Sequence, residues 1–225
     1  SFSVIPASIS NLNNSAVAGG TSPLGTSVND TSTEGSDPDG TDGDDNPDEN
    51  TPTPISFSEN PVIGLSKNNS AVSNNGDGTY LVNYDFVLEN FGDIALTDLK
   101  IFDDVVNQYA GMNPTGFTAS SSTLNANPTW DGSGTSNILA ANQSLGKGLS
   151  GDVSISFTVT PGASATISNS ATASGTSPAL SIINDTSSDG TDPDGNDGDG
   201  NPDENDPTIT TFSENPSLTV DKGSP

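Results

Sequence analysis

The sequence predicts an all-β protein made of antiparallel sandwiches. Three observations carry this: apolar residues alternate with a period of two, turn signals separate the alternating runs, and the pattern recurs after 155 positions. In 80–88 the residues Tyr80, Val82, Tyr84, Phe86 and Leu88 fall on one face, and in 153–159 Val153, Ile155, Phe157 and Val159 do the same. Such runs describe strands with one face buried and the other solvated. Few aromatics and much Ser, Thr, Asn and Gly would by themselves suggest disorder; the alternation argues against it.

With Ser1 set against Ser156, the register holds without gaps to Lys67 against Lys222. Between positions 29 and 61 the two copies agree at 24 of 33 positions, far beyond chance. A proline after a polar stretch ends one strand before an apolar segment begins, so the boundary is placed at Ser58-Glu59-Asn60-Pro61 and its copy Ser213-Glu214-Asn215-Pro216. On this phase, 1–58 is the C-terminal part of a preceding repeat, 59–213 one complete repeat, and 214–225 the first strand of the next. The chain begins with Ser rather than Met and is expected to be an internal piece of a longer protein.

Within the complete repeat the expected strands follow in order. The apolar segment after Pro61 gives 62–67. The turn Asn75-Gly76-Asp77-Gly78 then leads into the alternating run 79–90, followed by 94–103 and 116–122. The second alternating run gives 152–159. After the Pro161-Gly162 turn come 167–175, 181–186 and 208–212. Many short strands, regular turns and no convincing helix favour sandwiches of the immunoglobulin type.

Between the last two strands lies Asp37 to Asn50, DPDGTDGDDNPDEN, whose near-copy DPDGNDGDGNPDEN runs from Asp192 to Asn205. Nine acids fall in 30–50 and nine in 185–206, so eighteen of the thirty Asp and Glu lie in two short segments. Glycines between the carboxylates let one backbone curl tightly and aim several hard oxygens inward, which suits Ca²⁺ with its six to eight oxygen ligands better than strictly octahedral Mg²⁺. The candidate ligands are Asp37, Asp39, Asp42, Asp44, Asn46 and Asp48, and in the copy Asp192, Asp194, Asp197, Asp199, Asn201 and Asp203. The plainer reading is a solvated acidic linker. A solubilising linker has no need of glycines and prolines locked to the same period. At a dissociation constant of about 0.1 mM and about 1 mM calcium, each site would stabilise the fold by about 1.4 kcal/mol.

Composition excludes several classes of function. A formal charge of −26, with four Lys and Arg, repels nucleic acid and anionic membranes. Without Cys or His there is no thiolate or imidazole, hence no zinc, copper or haem site and no usual general base. No apolar run approaches the roughly 20 residues that span a bilayer. The acid pairs Asp77 with Asp85 and Asp103 with Asp104 lack an accompanying nucleophile or base, so no catalytic residue is assigned. Tyr109 and Trp130 lie in polar stretches and read as core or loop anchors, with a sugar-stacking platform as the alternative. The sequons at Asn13, Asn29, Asn68, Asn142 and Asn184 are short matches expected by accident in a Ser- and Thr-rich chain.

The segment Asn60 to Lys67, the run NNGDGTYLVNYDFVLENFGDIALTDLKIFDD from Asn74, SISFTVTP from Ser154 and NSATASGTSP from Asn169, followed by the acidic loop, resemble the immunoglobulin-like tandem repeats of very large bacterial surface adhesins and filament proteins. The resemblance implies an extracellular, cell-surface location, head-to-tail domains and calcium at the loop. The loop departs from the helix-loop-helix pattern, because its twelfth position is Asp48 rather than Glu, and comes closer to thrombospondin-like repeats. The implied function is a non-enzymatic structural repeat of a fibre or adhesin, stiffened by calcium. Its partners would be neighbouring repeats, with strand complementation between subunits as a variant. The alternatives are a carbohydrate- or protein-binding module and a hydrolase accessory domain. Lys67, with copy Lys222, reads as a surface lysine at a strand end. The sharper reading joins it to Asn169 and an acid such as Asp85, the set from which surface-fibre domains form isopeptide bonds.

Overall fold

Strands make up nearly all the regular structure of the computed structural model, which describes residues 11–40, 42–195 and 197–223. The expected preceding-repeat piece begins, and the expected following strand ends, outside those residues. The chain divides into two units, Ser1–Glu59 and Asn60–Pro225.

The first unit holds two antiparallel pairs. β1 (Asn11–Asn14) pairs with β4 (Thr53–Ser56), and β2 (Val17–Thr21) with β3 (Ser27–Thr31). None of its described residues is buried, and Val17 and Val28 are 68% and 65% exposed. Two hairpin-like pairs offer no second layer to cover an apolar face.

The second unit runs through β5 (Ile63–Asn74), β6 (Tyr80–Asn90), β7 (Leu96–Phe102), the one-turn helix α1 (Val105–Gln108), a 3₁₀ turn (Ala110–Met112), β8 (Thr115–Ser120), β9 (Ser144–Leu145), β10 (Ser150–Val159), β11 (Thr166–Asn169), β12 (Thr172–Thr176), β13 (Ile182–Thr186), β14 (Ser188–Asp189) and β15 (Thr208–Thr211). One sheet has the order β14-β5-β6-β10-β8 and the other β13-β12-β7-β9, while β11 pairs with β15. All pairings are antiparallel except β14 with β5. Displaced by 155 positions, β1, β2, β3 and β4 coincide with β11, β12, β13 and β15, so the sequence repeat is also a repeat of strand pairing.

Every inward-facing residue of the two alternating runs is buried: Tyr80, Val82, Tyr84, Phe86 and Leu88 from β6, and Val153, Ile155, Phe157 and Val159 from β10. Leu96, Leu99 and Ile101 of β7 and Ala173 of β12 meet them from the opposite sheet in one core. Phe157 sits among the rings of Tyr109, Tyr84 and Phe117, with centroids 5.0, 6.0 and 6.2 Å away.

Several boundaries differ from the expectation. The first strand continues past Lys67 to Asn74, because backbone pairing with β6 carries the polar segment across a bulge between Asn69 and Ala71. The expected strand 167–175 is two strands that pair with different partners, β15 and β7. The pieces β9 and β14 are too short to leave an alternation, and α1 is a single turn begun by Asp104. Residues 213–223 carry no strand, so the expected opening strand of a third repeat lacks ladder partners among the described residues.

Candidate functional site

The two acidic loops adopt the same backbone shape because each copy meets the same local demands. Gly40 and Gly43 take left-handed φ of 73° and 65°, and Gly195 and Gly198 take 69° and 65°. The third left-handed position is Gly200 in one copy and Asp45, φ 62°, in the other, which a short polar side chain tolerates. Asp37 Oδ1 accepts from the Asp39 amide at 3.2 Å, and Asp192 Oδ1 from the Asp194 amide at 3.1 Å. Asp44 and Asp199 each accept from the amide two residues on, at 2.8 Å. These are Asx turns, each bending the chain around its own carboxylate.

The bends bring only some of the expected residues together. In the first loop, carboxylate oxygens of Asp39, Asp42 and Glu49 lie within 4.8 Å of one another; in the second, those of Asp194, Asp197 and Asp199 do. Asn46 donates to Asp48 at 2.8 Å and Asn201 to Asp203 at 2.9 Å, so these two pairs brace each other at the loop's exit. Asp37 and Asp192, Asp44 and Asp199 each commit one oxygen to the turn and keep the other.

Glu49 and Glu204 are the residues that sequence reasoning missed. A Cβ at Gly40 would stand 2.8 Å from the Glu49 carboxyl carbon, and one at Gly195 would stand 2.7 Å from that of Glu204, so each glycine makes room for a glutamate folded over the loop. Both lie one place beyond the twelfth position, and both are identical between copies. That identity was the available signal. Both carboxyls are held above the ordinary range: their own backbone hydrogen bonds lower them, but burial outweighs that together with neighbouring carboxylates, Asp42 and Asp48 for Glu49 and Asp197, Asp203 and Asp194 for Glu204. A cation among these groups would reverse that repulsion.

The second loop docks on its own unit. A Cβ at Gly64 would meet the Phe91 ring at 2.7 Å, Pro202 at 2.9 Å and the Pro193 carbonyl at 3.0 Å, so the loop's prolines rest where the chain enters β5. Glu89, opposite Gly64 in the ladder, has its carboxyl raised by burial and then by Asp192 and Asp194.

Asp185, on β13, ties this corner to the sheet by accepting from the Leu65 amide at 2.6 Å. Burial pushes its carboxyl up to about 7, against the lowering effect of the Leu65 and Thr186 amides. The folded state therefore holds a proton that the unfolded chain has released above its ordinary pKa of roughly 4. The stability this gives is full below pH 4 and lost as pH rises through 7. In chelator, melting temperature is expected to fall between pH 5 and pH 8. Asp185→Asn, which keeps an acceptor for the Leu65 amide, removes this residue's share of the fall; an unchanged slope on calorimetry would contradict the assignment.

Other candidates resolve differently. Asp77 binds Thr79 within its own turn, Asp85 accepts from Ser154 at 2.7 Å on the surface, and Asp104 caps α1 and accepts from the Gly134 amide at 3.0 Å. Tyr109 and Trp130 are 0% and 3% exposed, which excludes a sugar-stacking platform at either ring. Lys67 is no surface lysine: it is 0% exposed, with Nζ 2.5 Å from Oδ2 of the equally buried Asp103. Lys222, its copy, is exposed.

No family model matches the chain, and no curated protein matches it. Among solved structures it is similar to the major pilin subunit of Bacillus cereus, at 11% identity and a TM-score of 0.29 over 63% of this chain and 49% of that one. The chain thus spans about half the length of that protein, and a likeness this distant carries no functional argument.

Proposed function

We propose that this chain is a non-enzymatic structural repeat of an extracellular bacterial surface fibre or adhesin, with Ca²⁺ held in its acidic loops. One observation carries the metal: Asp39 Oδ1 and Glu49 Oε2 in one loop, and Asp194 Oδ1 and Glu204 Oε2 in the other, are buried without a hydrogen-bond partner. A buried carboxylate oxygen with no donor is costly, and the same two positions are orphaned in both copies. A hard cation bound by oxygen supplies what the protein does not, and the flexible turns suit calcium.

Asp39, Asp42 and Glu49 would hold one ion; Asp194, Asp197 and Asp199, with Glu204, would hold the other. The second ion would fasten the loop 192–205 over the start of β5, so the segment between β14 and β15 would resist bending where the chain enters the unit. Without a cation the clustered carboxylates repel one another. The mechanical role follows: a repeat whose acidic loop is pinned transmits force through its sheets rather than through slack chain.

Thermal melting of the 225-residue chain in calcium and in chelator tests this. At about 1 mM calcium each site is expected to add about 1.4 kcal/mol, or about 3–6 °C for a unit of this size. Magnesium should give a small fraction of the shift, and Glu204→Gln should reduce the calcium response. No calcium-dependent shift, and no calcium heat on titration, would sink the reading.

A further inference from the structure

Three polar side chains meet in the apolar interior of the second unit. Lys67 comes from β5, Asp103 follows β7 in the opposite sheet, and Asn169 ends β11. They are 0%, 0% and 1% exposed. Lys67 Nζ lies 2.5 Å from Asp103 Oδ2, and Asn169 Nδ2 lies 3.5 Å from that same oxygen. The Asn169 carbonyl oxygen, Oδ1, is buried and has no hydrogen-bond partner. The walls are aromatic: Lys67 Nζ is 4.0 Å from the centre of the Tyr84 ring and 5.6 Å from that of Phe86.

This is an unusual set to bury. A lysine-aspartate pair satisfied for stability alone has no need of an amide whose carbonyl is left bare beside it. Its members are an amine, a primary amide and one carboxyl group that touches both nitrogens, enclosed away from water. We propose that Lys67 and Asn169 become joined by an intramolecular amide bond, with Asp103 as the catalytic acid-base residue.

The atoms balance without any co-reactant. The Lys67 Nζ lone pair attacks Cγ of Asn169, and the Nζ–Cγ bond forms. The proton released from Nζ passes to Asp103. Asp103 delivers a proton to Nδ2, the Cγ–Nδ2 bond breaks and ammonia leaves, so an amine and a primary amide become a secondary amide plus ammonia with no change of oxidation state. Enclosure favours the reactive protonation states: burial lowers the Lys67 amine to about 8, against the pull of Asp103, and raises the Asp103 carboxyl, against that of Lys67. A neutral amine beside a protonated acid is the pair that aminolysis requires. Positioning on one oxygen supplies the proximity.

The bond would link the first strand of the unit to the β11–β15 pair. Tension entering near Asn60 and leaving after Phe212 would pass from 67 to 169 directly, leaving the chain between them unstretched. The inference is independent of the acidic loops and of any metal in them. The copies do not repeat it here: Asn14 and Lys222 are both exposed.

Intact mass of the folded 225-residue chain tests the proposal. The expected result is a mass lower by one ammonia, with a digest in which cleavage after Lys67 is lost and the peptides holding Lys67 and Asn169 run as one species. Asp103→Asn and Lys67→Met should both show full mass while circular dichroism still reports β-structure. A folded wild-type chain at full mass overturns the proposal whether or not either variant folds. So does an ammonia loss that maps elsewhere, such as to succinimide formation at Asn75-Gly76.

Discussion

Asp103→Ala is expected to destabilise the second unit by about 3–5 kcal/mol, because without its acid Lys67 stays unjoined and becomes an uncompensated buried charge. Lys67 is wholly enclosed, and apart from Asp103 its ammonium faces the Tyr84 and Phe86 rings. Attraction to those rings, worth about 2 kcal/mol when desolvated, does not replace a carboxylate. Burial already lowers the Lys67 amine to about 8 with Asp103 opposing it, so removing Asp103 lowers it further. The unfolded chain then binds a proton that the folded one does not, and stability of the variant rises with pH toward the ordinary lysine range. Urea denaturation at pH 7 and pH 9 measures both effects. A variant midpoint equal to that of wild type would mean the pair carries no energy.

The double variant Lys67→Met with Asp103→Leu separates two accounts of the same cluster. Replacing a buried ion pair by apolar groups of similar volume is commonly neutral or stabilising. If Lys67 is bonded to Asn169, the same double change also opens a covalent loop of about 100 residues, for which the chain-entropy model gives about 4–5 kcal/mol. A plain ion pair therefore predicts little loss, and a covalent tie predicts a large one.

The inward faces of this fold were legible because the core strands keep strict alternation. The same rule reaches the buried cluster. Ile63, Leu65 and Lys67 share one parity, as do Leu99, Ile101 and Asp103, and Ile167 with Asn169. Each polar member continues an inward-facing series by one more step. Lysine's strong preference for the surface outweighs that parity when only the sequence is read, and Asp85, one example of a partner acid, lies on the outward parity of β6. What periodicity does not contain is which strands lie opposite. Asp103 approaches Lys67 only because β7 belongs to the other sheet, and that is a property of the topology.

The acidic loops were legible for a different reason: the repeat marks which residues are held fixed. Spacing singled out Asp37, Asp44, Asp192 and Asp199 as oxygen ligands, and each of them makes its turn within two residues. It failed for Glu49 and Glu204, whose approach to Gly40 and Gly195 depends on the chain returning over itself nine residues later. The chain breaks at β9, β14 and between β11 and β12 were illegible because such short segments are selected by their ladder partners rather than by their own side chains.

Phe157→Ala is expected to cost about 3–5 kcal/mol, a large share of the 5–15 kcal/mol that holds a typical domain folded. Phe157 is 0% exposed on β10, and its ring packs with those of Tyr84, Tyr109 and Phe117 together. Its loss leaves a cavity that three bulky neighbours on different elements cannot all close. Phe157→Leu keeps most of the volume and should cost less than half as much. The consequence extends to the polar cluster, because Tyr84 and Tyr109 hydrogen-bond each other and Thr210 through their hydroxyls, and Tyr84 also forms the wall over Lys67. Loosening that wall admits water to the amine and carboxyl, weakens the burial that brings them to their neutral forms, and slows amide formation. Phe157→Ala should therefore give a mixture of full-mass and ammonia-depleted chains where wild type gives one species. Denaturation midpoints and intact masses read on the same sample separate the two effects: a lowered midpoint with complete ammonia loss would confine Phe157 to packing and remove it from the environment that drives the bond.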